Sequence, residues 1–263
     1  MEILNFPTAE FRIFLLVLLR VSTLLFLFPF FGSPVIPVRV KTALSLVLAF
    51  TLWPVAAKTA PVFPHGTVPM VITMGAELIL GMCLALSARL FFAAIQLAGG
   101  IISFQMGFSM INTIDPQSGS PMAIMSQVGY LVATLLFLAF GGHHVVITAL
   151  ADSFFLVKPG GLLLTQSLWN TLETLVSAMF TVGIRVAAPT MVALFFTSCA
   201  FGMCARFVPQ MNVLVLAFPV KIAVGLFLFG LTLQVIHIMV GRFVGDYATL
   251  LTHMLEMMGG TRG

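Results

Sequence analysis

Residues 99–122 read GGIISFQMGFSMINTIDPQSGSPM, and this stretch divides the chain. Three of its four glycines, Gly99, Gly100 and Gly107, each cost about 1 kcal/mol relative to alanine in a helix interior. Polar side chains are scattered among the apolar ones, and Asp115-Pro116 favours a turn. We therefore predict a flexible apolar segment, which lipid would not tolerate because its backbone groups would stay unsatisfied. Such a segment must be buried in protein or line a water-filled cavity, and we interpret it as lining and closing a pore.

The composition of the chain is that of a membrane protein. Of its 263 residues, 60% are hydrophobic and 8% are charged. Soluble domains contain roughly 45–50% apolar and about 25% charged residues. The net charge of +4 is spread along the chain without a basic cluster, so no nucleic-acid partner is indicated.

Apolar runs of helical length follow one another along the chain, and no strand pattern interrupts them. We predict an all-α, membrane-associated fold of apolar helical hairpins with broken or kinked helices. The predicted segments are 11–31, which carries Arg12 and Arg20, then 42–57, closed by Trp53-Pro54, then 68–96, then the halves 123–140 and 145–157, and a hairpin with arms from about 171 to 206 and from 212 to 258.

Several charged residues lie inside these apolar runs. Glu77 and Arg89 are twelve residues apart, about 120° around a helix, so each needs a partner on another element or another chain. Arg185 lies four residues before Pro189, a spacing that predicts a kink packed against a neighbour. Lys221 either contacts a carboxylate of a neighbouring subunit, faces an aqueous channel, or places its stem along apolar surface. We take Glu77, Arg89, Arg185, Arg206 and Lys221 as candidate subunit-interface or channel contacts.

The sequence offers no catalytic or metal-binding constellation. His143 and His144 are adjacent, so on a helix they point about 100° apart and do not chelate one metal together. We interpret them as hydrogen-bonded residues at a helix break. There is no nucleophile elbow, phosphate-binding glycine loop or paired carboxylates, so we expect no enzyme activity, no cofactor and no metal.

Four blocks in order resemble the FliR family, a component of the flagellar type III export gate. They are IPVRVKTALSL (36–46), FQMGFSMINTIDP (104–116), LLFLAFGGHHVVITALADSF (135–154) and RFVPQMNVLVLAFPVKIAVG (206–225). Virulence type III secretion proteins belong to the same superfamily, but the order and spacing here resemble the flagellar branch more closely.

The C-terminal hairpin carries a second resemblance. VAAPTMVALF (186–195) and PQMNVLVLAFPVKIAV (209–224) are similar to FliQ, a two-helix subunit of the same gate. The resemblance implies a FliP-like part over 1–165 and a FliQ-like hairpin over 166–263. It also implies that the chain completes a ring of separate FliP and FliQ chains, with FlhB as a further partner and FlhA nearby.

The resemblance further implies a role for the central segment. In this family it plugs the export channel, which transfers to Phe104, Met106, Phe108, Met110 and Ile111, with Phe108 and Met110 as the side chains expected to fill the lumen. Exported unfolded flagellar proteins would pass through it. The implied location is the bacterial inner membrane within the flagellar basal body, with the assembled gate raised toward the periplasmic side.

Two alternatives remain open at this point. One keeps the fold and assigns the virulence type III secretion branch. The other is a polytopic small-solute transporter, for which discontinuous helices and buried Glu77, Arg89 and Arg185 would be suitable.

Overall fold

A computed structural model of the chain describes residues 8–33, 35–59, 66–108, 124–207 and 213–260. Regular secondary structure in these ranges is helical, without a strand, which confirms the predicted all-α class. The helices are α1 (Thr8–Leu27), α2 (Val38–Thr59), α3 (Thr67–Met106), α4 (Ile124–Ala139), α5 (Gly142–Leu156), α6 (Gln166–Phe207) and α7 (Val213–Gly259).

Four of the described helices are long and apolar enough to cross a membrane. They are α2, α3, α6 and α7, and the bent pair α4–α5 counts as a fifth if it forms one span. The chain bends between α4 and α5, where Gly141 has a φ of 76°, in the left-handed region that glycine adopts readily. The predicted break in this region is therefore confirmed.

Helix α3 runs further than the sequence indicated. We expected the helix to end near Gln96 and a loop to begin at Gly99, and both expectations are wrong because α3 continues to Met106. A Cβ at Gly99 would lie 2.6 Å from the backbone nitrogen of Ser126. Gly99 therefore permits close packing of α3 against α4 instead of ending the helix.

Helix α2 is also longer than predicted. Trp53-Pro54 was expected to close it, but α2 reaches Thr59 with Pro54 inside it. Pro54 is exposed, while Leu52 and Ala56 are buried on either side of it in sequence. Packing of this inner face offsets the hydrogen bond that proline removes.

The described residues form two compact units. Unit 1 draws on 1–90, 141–175 and 244–263, and unit 2 on 91–140 and 176–243. Helices α3, α6 and α7 each contribute one segment to each unit. The core of unit 2 joins four helices through Ala98, Ile102, Met106, Met125, Val186, Ala187, Leu194 and Phe229.

The two arms of the predicted C-terminal hairpin are α6 and α7. Each is a continuous helix, with Pro189 inside α6 and Pro219 inside α7. Helix α6 begins at Gln166, but both compact units contain residues from before and after that point. The division into a FliP-like and a FliQ-like part remains a prediction from resemblance.

Candidate functional site

The end of α3 is a glycine-terminated helix cap. Phe108 N–H donates to the Ser103 carbonyl at 3.2 Å and Gly107 N–H donates to the Phe104 carbonyl at 3.1 Å. This pair of bonds is the Schellman motif, with Gly107 at its left-handed position, where φ is 92°. The segment after α3 therefore leaves the helix at Gly107.

Core packing holds this cap in place. Met106 is fully buried in the core of unit 2, and Phe108 packs against the same cluster. A Cβ on Gly107 would lie 2.5 Å from a ring carbon of Phe218, so α7 touches the turn directly. Any other residue at 107 would be strained by the left-handed φ, and its Cβ would clash with Phe218.

The start of α4 is tied to α3 by two serines. Met125 N–H donates to Ser103 Oγ at 3.2 Å, which satisfies one of the backbone donors at the N-terminus of α4. Ser126 Oγ donates to the Gln96 carbonyl at 2.6 Å. Residues 109–123, which lie outside the described ranges, are thus flanked on both sides by residues fixed within unit 2.

A second feature is a buried ion pair in unit 1. Arg20 on α1 and Glu77 on α3 have side chains 0% and 1% exposed. Arg20 Nε donates to Glu77 Oε2 at 2.6 Å and Arg20 Nη2 donates to Glu77 Oε1 at 3.1 Å. This is the bidentate geometry in which a guanidinium and a carboxylate pair most strongly.

The remaining donors of Arg20 reach α5 and the turn after it. Nη1 donates to the carbonyl and to Oγ of Ser153, both at 2.9 Å, and Nη2 donates to the Val157 carbonyl at 3.1 Å. Gly160 N–H donates to Glu77 Oε1 at 2.8 Å. All five guanidinium N–H groups therefore have an acceptor, which is the condition for a charge to be tolerated at this depth.

Comparisons with known proteins agree with the resemblance seen in the sequence. A family model described as "Bacterial export proteins, family 1" matches residues 11–259. The chain belongs to this family. The Flagellar biosynthetic protein FliR of Bacillus subtilis (strain 168) is 30% identical to this export-family chain over 257 residues, covering 95% of the chain and 96% of that protein.

Two further relatives are a second FliR protein and the protein SpaR. FliR of Escherichia coli (strain K12) is 31% identical over 210 residues, covering 80% of this chain and 79% of that protein. The Surface presentation of antigens protein SpaR of Salmonella typhimurium is 28% identical over 202 residues, covering 77% of this chain and 75% of that protein. The predicted membership in the FliR family and the shared superfamily are both confirmed.

The predicted plug residues of this FliR-family chain fall in different environments. Phe104 is 71% exposed, on the last turns of α3. Met106 lies in the core and Phe108 is partly buried against it. Met110 and Ile111 lie outside the described residues.

The predicted interface or channel residues differ in burial and in whether they have a partner. Glu77 has its partner on another element of the same chain, as its position required. Arg89, Arg185 and Arg206 are exposed and Lys221 is partly buried, so the burial expected of Arg89 and Arg185 in the transporter alternative is wrong. None of these four cations has a hydrogen-bond or ion-pair partner among the described residues.

Sequence reasoning missed one functional residue, Arg20, and expected a hydrogen bond at His143 that no described residue provides at Nδ1. Arg20 was not selected as a site residue, although a second lone charge in an apolar helix was the signal that could have matched it to Glu77. His143 was expected to be hydrogen-bonded, but its Nδ1 is buried without a partner in the described part of the chain. The adjacent rings of His143 and His144 are 4.1 Å apart between centroids.

Proposed function

We propose that this chain is a non-catalytic structural subunit of the flagellar type III protein export gate. It completes a ring of FliP and FliQ chains and supplies a plug that closes the protein-conducting channel. The observation that carries the proposal is the match to FliR of B. subtilis, which spans nearly the full length of both proteins. A match along nearly the whole length of both proteins is what a shared position in an assembly requires.

The geometry around residues 109–123 supports the plug. A segment that closes a channel must have fixed ends and an apolar middle, and here the Schellman cap at Gly107 and the serine bonds to α4 fix the ends. We assign Met106 to the anchored base of the segment, and Phe104, Phe108, Met110 and Ile111 to the closing surface. Apolar constrictions close by excluding water, and methionine adapts its shape around a passing chain.

The exposed charges support an assembly of several chains. Arg89 lies near the middle of the 40-residue α3 and Arg185 near the middle of the 42-residue α6, and both are exposed. A charge at such a position is costly against lipid and normally faces protein or water. Partner subunits, or the channel itself, would supply those surroundings in the assembled gate.

The resemblance names the remaining partners. FlhB would receive its contact from the assembled ring, FlhA would lie nearby, and the substrates would be unfolded flagellar proteins. The gate would stand in the inner membrane within the basal body, raised toward the periplasmic side. The plug acts as a two-state element, so engaged substrate must contact the open state better than the closed one.

Ion leakage tests the plug. In the variant with Phe104→Ser and Met110→Ser, the apolar surface is reduced while the buried Met106 is kept, so we expect ions to cross the closed gate. The readout is ion conductance of membranes that carry the assembled complex. The matched control is Phe195→Ser, an exposed phenylalanine on α6, which should leave conductance at the wild-type level.

Conductance that stays at the wild-type level in the double variant, with a complex of normal mass, would refute the plug. Loss of the complex in the double variant alone would also count against it, because it would make these side chains structural.

One observation favours a second candidate function, which is the match to SpaR. In that case the chain would serve the virulence secretion branch with the same fold. Restoration of swimming motility in a strain that lacks its own FliR would favour the flagellar assignment. Restoration of virulence-type secretion in a strain without SpaR, and no motility, would favour the alternative.

A further inference from the structure

Helices α1 and α2 form an antiparallel pair in unit 1. The Phe14 and Trp53 rings meet edge to face with centroids 6.5 Å apart. Twelve residues later on α1 and twelve earlier on α2, Lys41 Nζ lies 6.0 Å from the Phe26 ring centroid. Because one helix advances as the other recedes, the start of α1 lies beside the end of α2.

An apolar cavity of about 300 Å³ lies at this end of the pair. Its lining consists of Phe11 and Phe14 from α1 and Phe50 and Trp53 from α2. Phe11 and Phe50 are 53% and 64% exposed, so the cavity opens outward. A cavity without polar partners does not hold ordered water, and its occupant must therefore be apolar.

The surroundings of the cavity resemble a membrane interface. Trp53 is five residues, or about 7.5 Å of helix rise, before Lys58, the last residue of the candidate span Val38–Lys58. Tryptophan and lysine at the end of a span are typical of the headgroup level. Arg12 directly follows Phe11, and the antiparallel pairing brings it to the level of the last turns of α2.

The occupant could be an apolar side chain of a partner protein or the acyl chain of a lipid, and the charge near the cavity distinguishes the two. Among the described residues of α1 and α2, the charged side chains at this end are Glu10, Arg12 and Lys58, which together carry one net positive charge. A partner protein's apolar side chain would not need this charge. A lipid with an acyl chain in the cavity and an anionic headgroup above it would use both features.

We propose that this cavity binds one acyl chain of an anionic phospholipid, with the headgroup phosphate held by Arg12 and Lys58. The aromatic walls contact the chain, and the two long basic side chains reach the headgroup by extending along apolar surface. The residues that line the cavity belong to unit 1, whereas the anchors of the plug belong to unit 2, and the proposed function does not depend on this site.

The two tryptophans of the chain make the test specific. Trp169→Phe leaves Trp53 as the only tryptophan, and the same preparation with Trp53→Phe added gives the background from any partner chains. Phosphatidylglycerol with brominated acyl chains is titrated into the detergent-solubilised full-length chain, alone or in its complex, and quenching of Trp53 is recorded. Brominated phosphatidylcholine serves as the neutral comparison.

We expect quenching that saturates at one phosphatidylglycerol per chain. Basic residues near a membrane surface each strengthen binding of anionic lipid by about 5-fold, so phosphatidylcholine should require roughly 30-fold higher concentrations. Lys58→Gln should reduce this preference about 5-fold, and Phe50→Ala should weaken quenching by both lipids. Phe195→Ala, on α6, should change neither.

Three results would overturn the proposal. Quenching that rises in proportion to lipid content without saturating would indicate ordinary surrounding lipid. Equal quenching by the two headgroups would remove the role of Arg12 and Lys58. No quenching at all in the assembled complex would show that protein covers the cavity.

Discussion

Replacing Glu77 with glutamine should leave the guanidinium of Arg20 buried without a counter-charge. The introduced amide would keep one acceptor oxygen but would place an N–H₂ donor against a guanidinium that has only donors of its own. Breaking a buried pair on one side costs about 3–5 kcal/mol, since the remaining charge stays desolvated. For a chain of this size that corresponds to a loss of roughly 6–20 °C in the midpoint of thermal unfolding.

A buried thiol provides the assay. Cys83 lies buried in α3 within unit 1, whereas Cys199 and Cys204 are exposed. In a Cys199→Ser/Cys204→Ser background, a thiol-reactive fluorophore therefore reports the temperature at which Cys83 becomes accessible. The matched control is Glu173→Gln, which neutralises an exposed carboxylate of the same unit.

The reasoning would be refuted if the Glu77→Gln midpoint lay within about 2 °C of the control. A second variant separates charge from packing. Replacing Arg20 and Glu77 together with methionine removes both charges and keeps apolar volume, so it should recover much of the lost midpoint. Failure to recover would assign the loss to the hydrogen bonds at Ser153 and Val157.

The remaining predictions concern glycines that differ in what surrounds them. Gly107→Ala should place a Cβ against Phe218 at a left-handed φ, costing about 1–2 kcal/mol, and limited proteolysis after α3 should become faster; unchanged cleavage would contradict the cap. Gly99→Ala should force α3 away from Ser126 and lower stability by about 1–3 kcal/mol, whereas an unchanged unfolding midpoint would show that the helices adjust freely. Gly230→Ala, with nothing within 4 Å of its added Cβ, should raise stability by about 0.5–1 kcal/mol, and a lowered midpoint would contradict open space there.

The sequence was sufficient for the class of fold and for the break between α4 and α5. Long apolar runs indicated helices, and the bend at Gly141 lies between the two predicted halves 123–140 and 145–157. These features depend on local chemistry, which a single sequence displays. The two arms of the C-terminal hairpin were predictable for the same reason.

The errors arose where a distant contact overrode local preference. Gly99 has poor helix propensity, but its value lies in the close approach of Ser126, which no local pattern reveals. Pro54 likewise stays within α2 because Leu52 and Ala56 are packed.

The candidate site was predictable only in part. Glu77 was expected to have a partner on another element, but Arg20 lies 57 residues away, and no sequence pattern selects it over a partner chain. Met106 carries the same apolar chemistry as its neighbours in the segment, so composition could not separate a buried anchor from a closing surface. The burial of Met106 in the core and the exposure of Phe104 make that distinction.

The most direct test of the proposed gate is the native mass of the tagged full-length chain purified in detergent. It should be measured with FliP and FliQ co-expressed, with each alone, and with neither. A subunit that completes a ring should appear in one large, uniform complex only when both partners are present. A well-behaved species of the same modest size under all four conditions would contradict the assignment.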